Sequence, residues 1–167
     1  MSRGFVREGD QEEAPIIPQR AFLPAGVANF VTREGMDLLL KEKEELISER
    51  ENLGITNDSE KRIAKNFINA KLQLLNERIA EARVVEMFQK DANEITFGAR
   101  VTLREESSGN VQIFRIVGVD EADIAKGKIS FISPLAKALI NKKAGDRVTL
   151  KRDKEDIVFE IIEIVYR

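Results

Sequence analysis

The stretch TREGMDLLLKEKEELISERENLGITNDS, residues 32–59, decides the fold of this chain. It starts with a threonine suited to cap a helix, and Glu34 follows in the first turn, where the helix dipole favours an acid. Gly54 stops that helix, and residues 57–59 offer a turn and a new N-cap. The stretch therefore predicts a helix, a short break and the start of a second helix. Heptad a and d positions of the first helix carry Met36, Leu39, Leu46 and Leu53, with Lys43 and Arg50 in the remaining places.

A second helix is predicted from about Ser59 to Met87, with its apolar residues on two neighbouring stripes. Because the break before it is so short, the two helices must lie side by side and antiparallel. We therefore expect a coiled-coil hairpin over residues 31–90, whose first arm projects roughly 30 Å at about 1.5 Å per residue. The alternative is a compact helical bundle. The stripes are Ile63, Phe67, Ala70, Leu74, Glu77 and Val84, and Ile68, Leu72, Leu75, Ile79 and Ala82.

From residue 94 the apolar residues change to a period of two, which is typical of strands. The dipeptide Gly109-Asn110 predicts a hairpin turn into a strand over Val111–Val117. Ile161 and Ile162 interrupt the alternation of the last strand, which indicates a bulge or a strand buried on both faces. Further strands are predicted at 128–132, 147–151 and 157–166.

Ser133 as N-cap and Pro134 at the first helical position predict a short helix from Leu135 to Asn141. Residues 94–167 thus combine mostly antiparallel strands with one short helix. The sequence as a whole predicts an α+β fold, with an N-terminal antiparallel two-helix coiled coil and a C-terminal antiparallel-sheet domain.

Residues 1–30 form a predicted extended tail, because they show neither a helical nor an alternating period. The tail has an acidic run at residues 10–13 and prolines at Pro15, Pro18 and Pro24. Its apolar residues are more numerous than a linker needs. Two interpretations stay open: a disordered segment, or a segment that lies against a folded surface. Those apolar residues are Ile16, Ile17, Phe22, Leu23 and Phe30.

Composition limits the chemistry that the chain can perform. Its 167 residues include no Cys and no His, which excludes thiolate nucleophiles, imidazole bases and the usual zinc sites. The 27 basic and 29 acidic residues give a net charge of −2, which disfavours indiscriminate binding to nucleic acid. No apolar stretch approaches the roughly 18 residues of a membrane span. We expect a cytoplasmic protein without a membrane partner or a small-molecule substrate.

Several segments of the C-terminal region resemble one known family. They are FGARV at 97–101, FRIVG at 114–118 with DEAD at 120–123, IS at 129–130 and SPLAKAL at 133–139. Weaker matches lie in the helices, at Thr32, Gly35 and Leu39 and at IAEARVV, residues 79–85. By these segments the chain resembles the Gre (GreA/GreB) transcript-cleavage and elongation factors, which bind bacterial RNA polymerase. The tail looks like an extension found in one branch of that family.

The resemblance implies an FKBP-like C-terminal domain that docks at the rim of the polymerase secondary channel, while the coiled coil enters the channel. It implies RNA polymerase as the partner, with the nascent RNA 3′ end and DNA inside the complex. The factor is not itself an enzyme, and it has no cofactor of its own beyond Mg²⁺ shared with the polymerase. The docking loop corresponds to Ile132, Ser133, Pro134, Leu135 and Ala136.

The tip of the predicted coiled coil departs from the family. The family's Asp-Leu-x-Glu-Asn-Ala-Glu-Tyr segment is absent, and the arms are shorter than usual. Asp58 and Glu60 are candidates for holding a catalytic metal, but a two-residue spacing does not align side chains on a helix. They are equally suited to capping the helix. Lys61, Arg62 and Lys65 are candidates for contacts with the channel or RNA phosphates, or form a solvated face.

Three acids after Gly118 have the oxygen chemistry of metal ligands. However, no other cluster of ligands lies near Asp120, Glu121 and Asp123 in the sequence. The favoured prediction is therefore a solvated turn.

Three functional hypotheses follow. The first is a Gre-type factor that binds the secondary channel and stimulates cleavage of backtracked RNA. The second is a regulator that also binds RNA polymerase and occupies the channel, but does not stimulate cleavage of RNA. The third is an FKBP-like chaperone or prolyl isomerase, which the absence of Trp and the single Tyr166 make a poor fit, because such a pocket is lined with aromatic residues.

Overall fold

The computed structural model describes residues 14–87 and 93–167. Helix α1 spans Arg33–Glu51, and helix α2 spans Asp58–Glu81. The predicted cap of α1 is confirmed, since the Thr32 hydroxyl oxygen accepts the Gly35 N–H at 2.9 Å. Asn52 caps the other end, so α1 finishes before Gly54 is reached. Asn57 is the N-cap of α2.

The predicted end of the second helix at Met87 is wrong. Helix α2 stops at Glu81, and strand β2, Ala82–Val84, pairs in parallel with strand β1, Asn29–Val31. The helical period of the sequence continues through this stretch, but the backbone of 82–84 finds its hydrogen-bond partners in the tail. Tertiary pairing with a strand that is distant in sequence overrides local preference here.

The two helices pack as an antiparallel hairpin through one of the two predicted stripes. Ile68, Leu72 and Leu75 are buried together with Leu39 and Leu46 of α1. The other stripe is less buried: Ile63 is exposed, and Phe67, Ala70 and Leu74 are half-buried. The next α-helix of the chain, α3 at Pro134–Leu139, packs on the C-terminal sheet and not on this hairpin. The described residues therefore do not form the compact helical bundle.

The C-terminal part is a sheet with strand order β5-β4-β3-β7-β6, as far as the described residues show. Only the β4–β5 pair is parallel, and the predicted α+β class is confirmed. Thr102 pairs with Glu163 and Leu103 with Ile161, so the chain bulges at Ile162 as predicted. The strands are β3 Arg100–Glu105, β4 Val111–Val117, β5 Lys128–Ser130, β6 Arg147–Leu150 and β7 Ile157–Val165, and helix α3 is Pro134–Leu139.

The tail meets the sheet domain at Phe30. Its ring centroid lies 5.9 Å from that of Phe97 and 5.7 Å from that of Phe131, and all three rings pack against the sheet core. Gly118 allows this approach, because a Cβ there would lie 2.6 Å from the Phe30 carbonyl oxygen.

From Arg20 onward the tail lies against the folded surface, as the second interpretation predicts, whereas Ile16 and Phe22, at 94% and 77% exposed, are not covered. Arg20 forms ion pairs with Glu42 and Asp120. The acidic run at 10–13 lies outside the described residues. None of the helices in the described part of the chain has the length and apolar character needed to cross a membrane.

Candidate functional site

The hairpin tip, residues 52–62, carries the predicted acidic pair. The Asn57 side-chain oxygen accepts the Glu60 N–H at 3.0 Å, so Asn57 makes the cap of α2. Asp58 and Glu60 lie in the first turn with exposed side chains. Both carboxylates are therefore available at the end of the hairpin, where they also complement the helix dipole.

The tip carries two carboxylates, and their geometry decides whether they could share a metal ion. Carboxylate oxygens are ligands that Mg²⁺ prefers. At about 100° per residue, side chains two positions apart point to different sides of the helix, so Asp58 and Glu60 do not converge on one point. No cluster of three or more potential ligands occurs among residues 14–87 and 93–167. An ion at the tip would need most of its ligands from another molecule.

The basic residues of the tip follow the acids on α2. Lys61 and Lys65 are one helical turn apart and share a side of the helix. Arg62 and Lys65 are exposed, and Lys61 is half-buried. The tip thus presents acids at its end and bases immediately behind them.

An apolar groove of about 720 Å³ opens beside the short helix α3. Two of its apolar side chains are unusually exposed, Ile124 at 83% and Ile113 at 57%. Contiguous exposed apolar side chains mark interaction surfaces in soluble proteins. The other lining residues include Phe114, Ile129, Ser133, Pro134, Leu135 and Leu150.

The structure brings three of the five predicted docking residues to this groove: Ser133, Pro134 and Leu135. The Ser133 hydroxyl oxygen accepts the Ala136 N–H at 3.3 Å and starts α3, with Pro134 exposed at the first helical position. Ala136 is completely buried in the sheet core, so it supports the loop from behind. Ile132 is half-buried outside the groove lining.

The predicted solvated turn at residues 120–123 is wrong, because the side chains of Asp120 and Glu121 are only 8% and 2% exposed. Both Glu121 carboxylate oxygens accept the Thr32 hydroxyl, at 3.0 and 2.7 Å, and Lys128 lies 3.8 Å away. Asp123 caps a short 3-10 turn by accepting the Ala125 N–H at 3.1 Å. Asp120 contacts Arg20 of the tail and Arg78 of α2, and Glu121 contacts the cap of α1. These two acids therefore connect the sheet domain to the tail and to the helical hairpin.

Sequence reasoning missed Ile113 and Ile124 as surface residues. Ile124 stands in a turn otherwise made of charged and small residues, EADIAKG at 121–127, and an apolar residue in such a turn was the available signal. Ile113 looks in sequence like any strand residue. It pairs with Thr102 and lies on the face of the sheet opposite the buried Val101 and Leu103, and that face is open to solvent at this position.

Comparisons with known proteins agree on one family. The family described as "Transcription elongation factor, GreA/GreB, C-term" matches residues 89–166. A protein named transcription elongation factor GreA from Trichlorobacter lovleyi is 36% identical over 151 residues, covering 81% of this chain and 96% of that protein. A GreA from Nitratidesulfovibrio vulgaris is 30% identical over 153 residues, covering 81% and 94%. The match to GreA of Hyphomonas neptunium, 35% identical, spans 62% of this chain and 66% of that protein.

Among solved structures, the transcription factor Gfh1 of Thermus aquaticus has a TM-score of 0.41 and 24% identity, with 81% of this chain and 96% of that chain covered. A GreA/GreB factor from Nitrosomonas europaea has a TM-score of 0.42 and 20% identity, with 82% and 98% covered.

Proposed function

Because the chain belongs to the GreA/GreB family of transcription elongation factors, we propose that it binds bacterial RNA polymerase with its hairpin in the secondary channel. One observation supports this above the others: an exposed helical hairpin stands on a sheet domain that carries an open apolar groove. In this proposal the sheet domain docks on the polymerase, and the hairpin inserts into the secondary channel. On this proposal the protein acts in the cytoplasm, where its partner works.

The groove is the docking surface of this proposal. Ile113, Ile124 and Pro134 offer apolar area that no part of the described chain covers. Burying that area on a partner is favourable at about 25 cal/mol per Å². A few such residues commonly dominate the affinity of an interface.

We expect Ile124→Asp to weaken binding to purified RNA polymerase about tenfold or more, because a carboxylate would be buried without a partner. The substitution should leave the fold intact, since Ile124 is 83% exposed. Fluorescence anisotropy of a labelled protein titrated with polymerase measures the effect.

Val111→Asp is the matched control. Val111 is on the same strand as Ile113 and is equally exposed, at 58%, but it lies outside the groove lining. Its substitution should leave the affinity within about twofold, because it adds a charge without touching the docking surface. Equal losses in Val111→Asp and Ile124→Asp would show that the groove is not the docking surface.

The hairpin is the channel-inserting part. At about 1.5 Å per residue, the 19 residues of α1 extend about 28 Å. Asp58 and Glu60 stand at its end, and either carboxylate is able to supply an oxygen ligand to Mg²⁺ held mainly by the polymerase. Such an ion would favour an attacking water in hydrolysis of backtracked RNA. Lys61, Arg62 and Lys65 lie behind the acids, where RNA phosphates would be neutralised.

We expect the protein to accelerate cleavage in a stalled, backtracked complex, and the pair Asp58→Asn and Glu60→Gln to reduce that acceleration about tenfold or more. The amides keep the size of the side chains and remove the charge that attracts the ion. Polymerase affinity, measured in parallel, should stay unchanged, because the groove is untouched. Full acceleration by the doubly substituted protein would disprove the role of the tip acids.

Regulation without cleavage is the second candidate, and the short arm with its altered tip favours it. It predicts that the native protein binds the polymerase, slows or changes elongation, and leaves cleavage of backtracked RNA at its intrinsic rate. The prolyl isomerase hypothesis is not favoured, since the family of the chain is that of elongation factors and a fold alone does not justify an activity.

A further inference from the structure

The tail residues 19–31, here called the strap, run beside α2 before the chain enters the hairpin. The Arg78 guanidinium donates to the Ala21 carbonyl, and the Asn29 side chain donates to the Arg78 carbonyl at 3.1 Å. Asn29 is buried, and a turn at Gly26, with φ of 80°, lets the strap change direction between these contacts. The strap is therefore bound to α2 at two points.

One ion-pair network connects the strap to three other parts of the molecule. Arg20 makes a two-pronged contact with Glu42 of α1, at 2.8 and 3.1 Å. The same guanidinium lies 3.0 Å from the Asp120 carboxylate, and Arg78 of α2 approaches that carboxylate to 3.2 Å. The strap, both helices and the turn after β4 thus meet at Asp120.

Three of the four side chains in this ion-pair network are largely shielded from solvent, and Glu42 is 43% exposed. The side chains of Arg20, Arg78 and Asp120 are 18%, 12% and 8% exposed. Ion pairs in this setting are screened less than surface pairs, and the bidentate arginine geometry fixes direction as well as distance. The hydrogen bond from Arg20 to Glu42 raises the pKa of Arg20 above its ordinary value, so the guanidinium stays charged.

The end of the strap lies between the hairpin and the sheet domain. Strand β1 pairs with β2 on one side, and the Phe30 ring packs with Phe97 and Phe131 on the other. The strap therefore contacts both bodies along its length. The hairpin and the sheet domain also make direct polar contacts, which are those of Thr32 with Glu121, Arg78 with Asp120 and Glu34 with Arg115, the last at 3.4 Å and partly in solvent.

We propose that the strap fixes the angle between the hairpin and the sheet domain, with Arg20 as the positioning residue. The angle decides where the tip stands relative to the groove. If the protein docks and inserts as proposed above, a fixed angle presents both surfaces to the polymerase at once. The structural half of this proposal concerns the free protein, and the functional half rests on the proposed function.

The absence of native cysteines makes a direct distance measurement possible. Spin labels at Thr56→Cys in the tip and Lys154→Cys in the sheet domain, both at exposed positions, report the angle through pulsed electron paramagnetic resonance. We expect a narrow distance distribution for the parent protein. Arg20→Ala should broaden it at least about twofold, and Asp120→Asn should do the same, because it weakens the pairs of both arginines.

Gln19→Ala, next to the positioning residue but outside the network, is the control and should leave the distribution narrow. Arg20→Lys keeps the charge and loses the two-pronged geometry, so an intermediate width is expected. Circular dichroism verifies that each variant retains its helices. An unchanged distribution in Arg20→Ala overturns the proposal, whatever Asp120→Asn does and whether or not the protein binds polymerase, because Asp120→Asn also breaks the direct pair of Arg78 with the sheet domain.

Polymerase affinity tests the functional half separately. Broadening lowers the population with the competent angle, so Arg20→Ala should bind about three- to tenfold more weakly than Gln19→Ala. Broadening without a loss of affinity overturns the functional half and leaves the structural half standing. If the parent protein does not bind polymerase at all, the proposed function fails, while the distance distributions still decide the role of the strap.

Discussion

Leu75→Ala is expected to lower the free energy of unfolding of the hairpin by about 2 to 5 kcal/mol, the largest effect anticipated for one substitution in this chain. Leu75 is 0% exposed and packs in the seam between the helices with Leu39 and Leu46. Truncation removes apolar contacts and leaves a cavity, because two helices held by neighbouring side chains collapse only partly. Urea unfolding followed by circular dichroism at the helix band measures the loss.

Leu38→Ala provides the matched control for that experiment. Leu38 lies on α1 and is 51% exposed, so the same chemical change should cost less than about 1 kcal/mol. The comparison cancels the effect of leucine and alanine on helix propensity, which is small in any case. Equal costs at the two positions would mean that the seam does not hold the helices together.

Gly118→Ala is expected to destabilise the protein by about 1 to 3 kcal/mol, because the added Cβ would overlap the Phe30 carbonyl oxygen. The ideal position of that Cβ is 2.6 Å from the oxygen, which is a backbone atom and cannot turn away as the end of a flexible side chain could. In a chain of 167 residues this corresponds to a melting temperature lower by roughly 2 to 12 °C. Thermal melts monitored by circular dichroism give the value.

Gly54→Ala makes the same substitution where space is open, since nothing lies within 4 Å of the position that its added Cβ would occupy. It should leave stability unchanged or raise it slightly, through the reduced freedom of the unfolded chain. A loss at Gly54 as large as that at Gly118 would contradict the steric explanation.

The sequence was sufficient for the parts of the fold that depend on local chemistry. Thr32 and Ser133 cap their helices as their side chains predict, and the bulge at Ile162 follows from two adjacent apolar residues in an alternating strand. In each case the deciding interaction lies within a few residues or in the strand pattern itself.

Errors occurred where the deciding partner is distant in the sequence. The end of α2 depends on β1, about fifty positions earlier, and the burial of Asp120 depends on Arg20 and Arg78. A row of acids after a glycine has the same composition whether it faces water or two arginines. Only the tertiary structure distinguishes the two cases.

The candidate site was predicted in part. Ser133, Pro134 and Leu135 do line the groove, and Asp58 and Glu60 do stand at the exposed tip. Ile113 and Ile124 were not identified, because apolar character usually indicates burial, and these two residues lie on the outer face of the sheet and in a turn. Sequence patterns predict which residues share a face of a strand, and do not show whether that face is covered.

The strap has a consequence for the order in which the chain folds. The two helices contact each other over a short turn and are expected to form early, within the microseconds typical of local helical structure. Arg20 and Asp120 are separated by 100 positions, and β3 pairs with the last strand of the chain. During synthesis the strap leaves the ribosome before the helices and the sheet domain, yet its anchor at Asp120 is made much later. A segment translated before its partners is thus expected to find its place only after them.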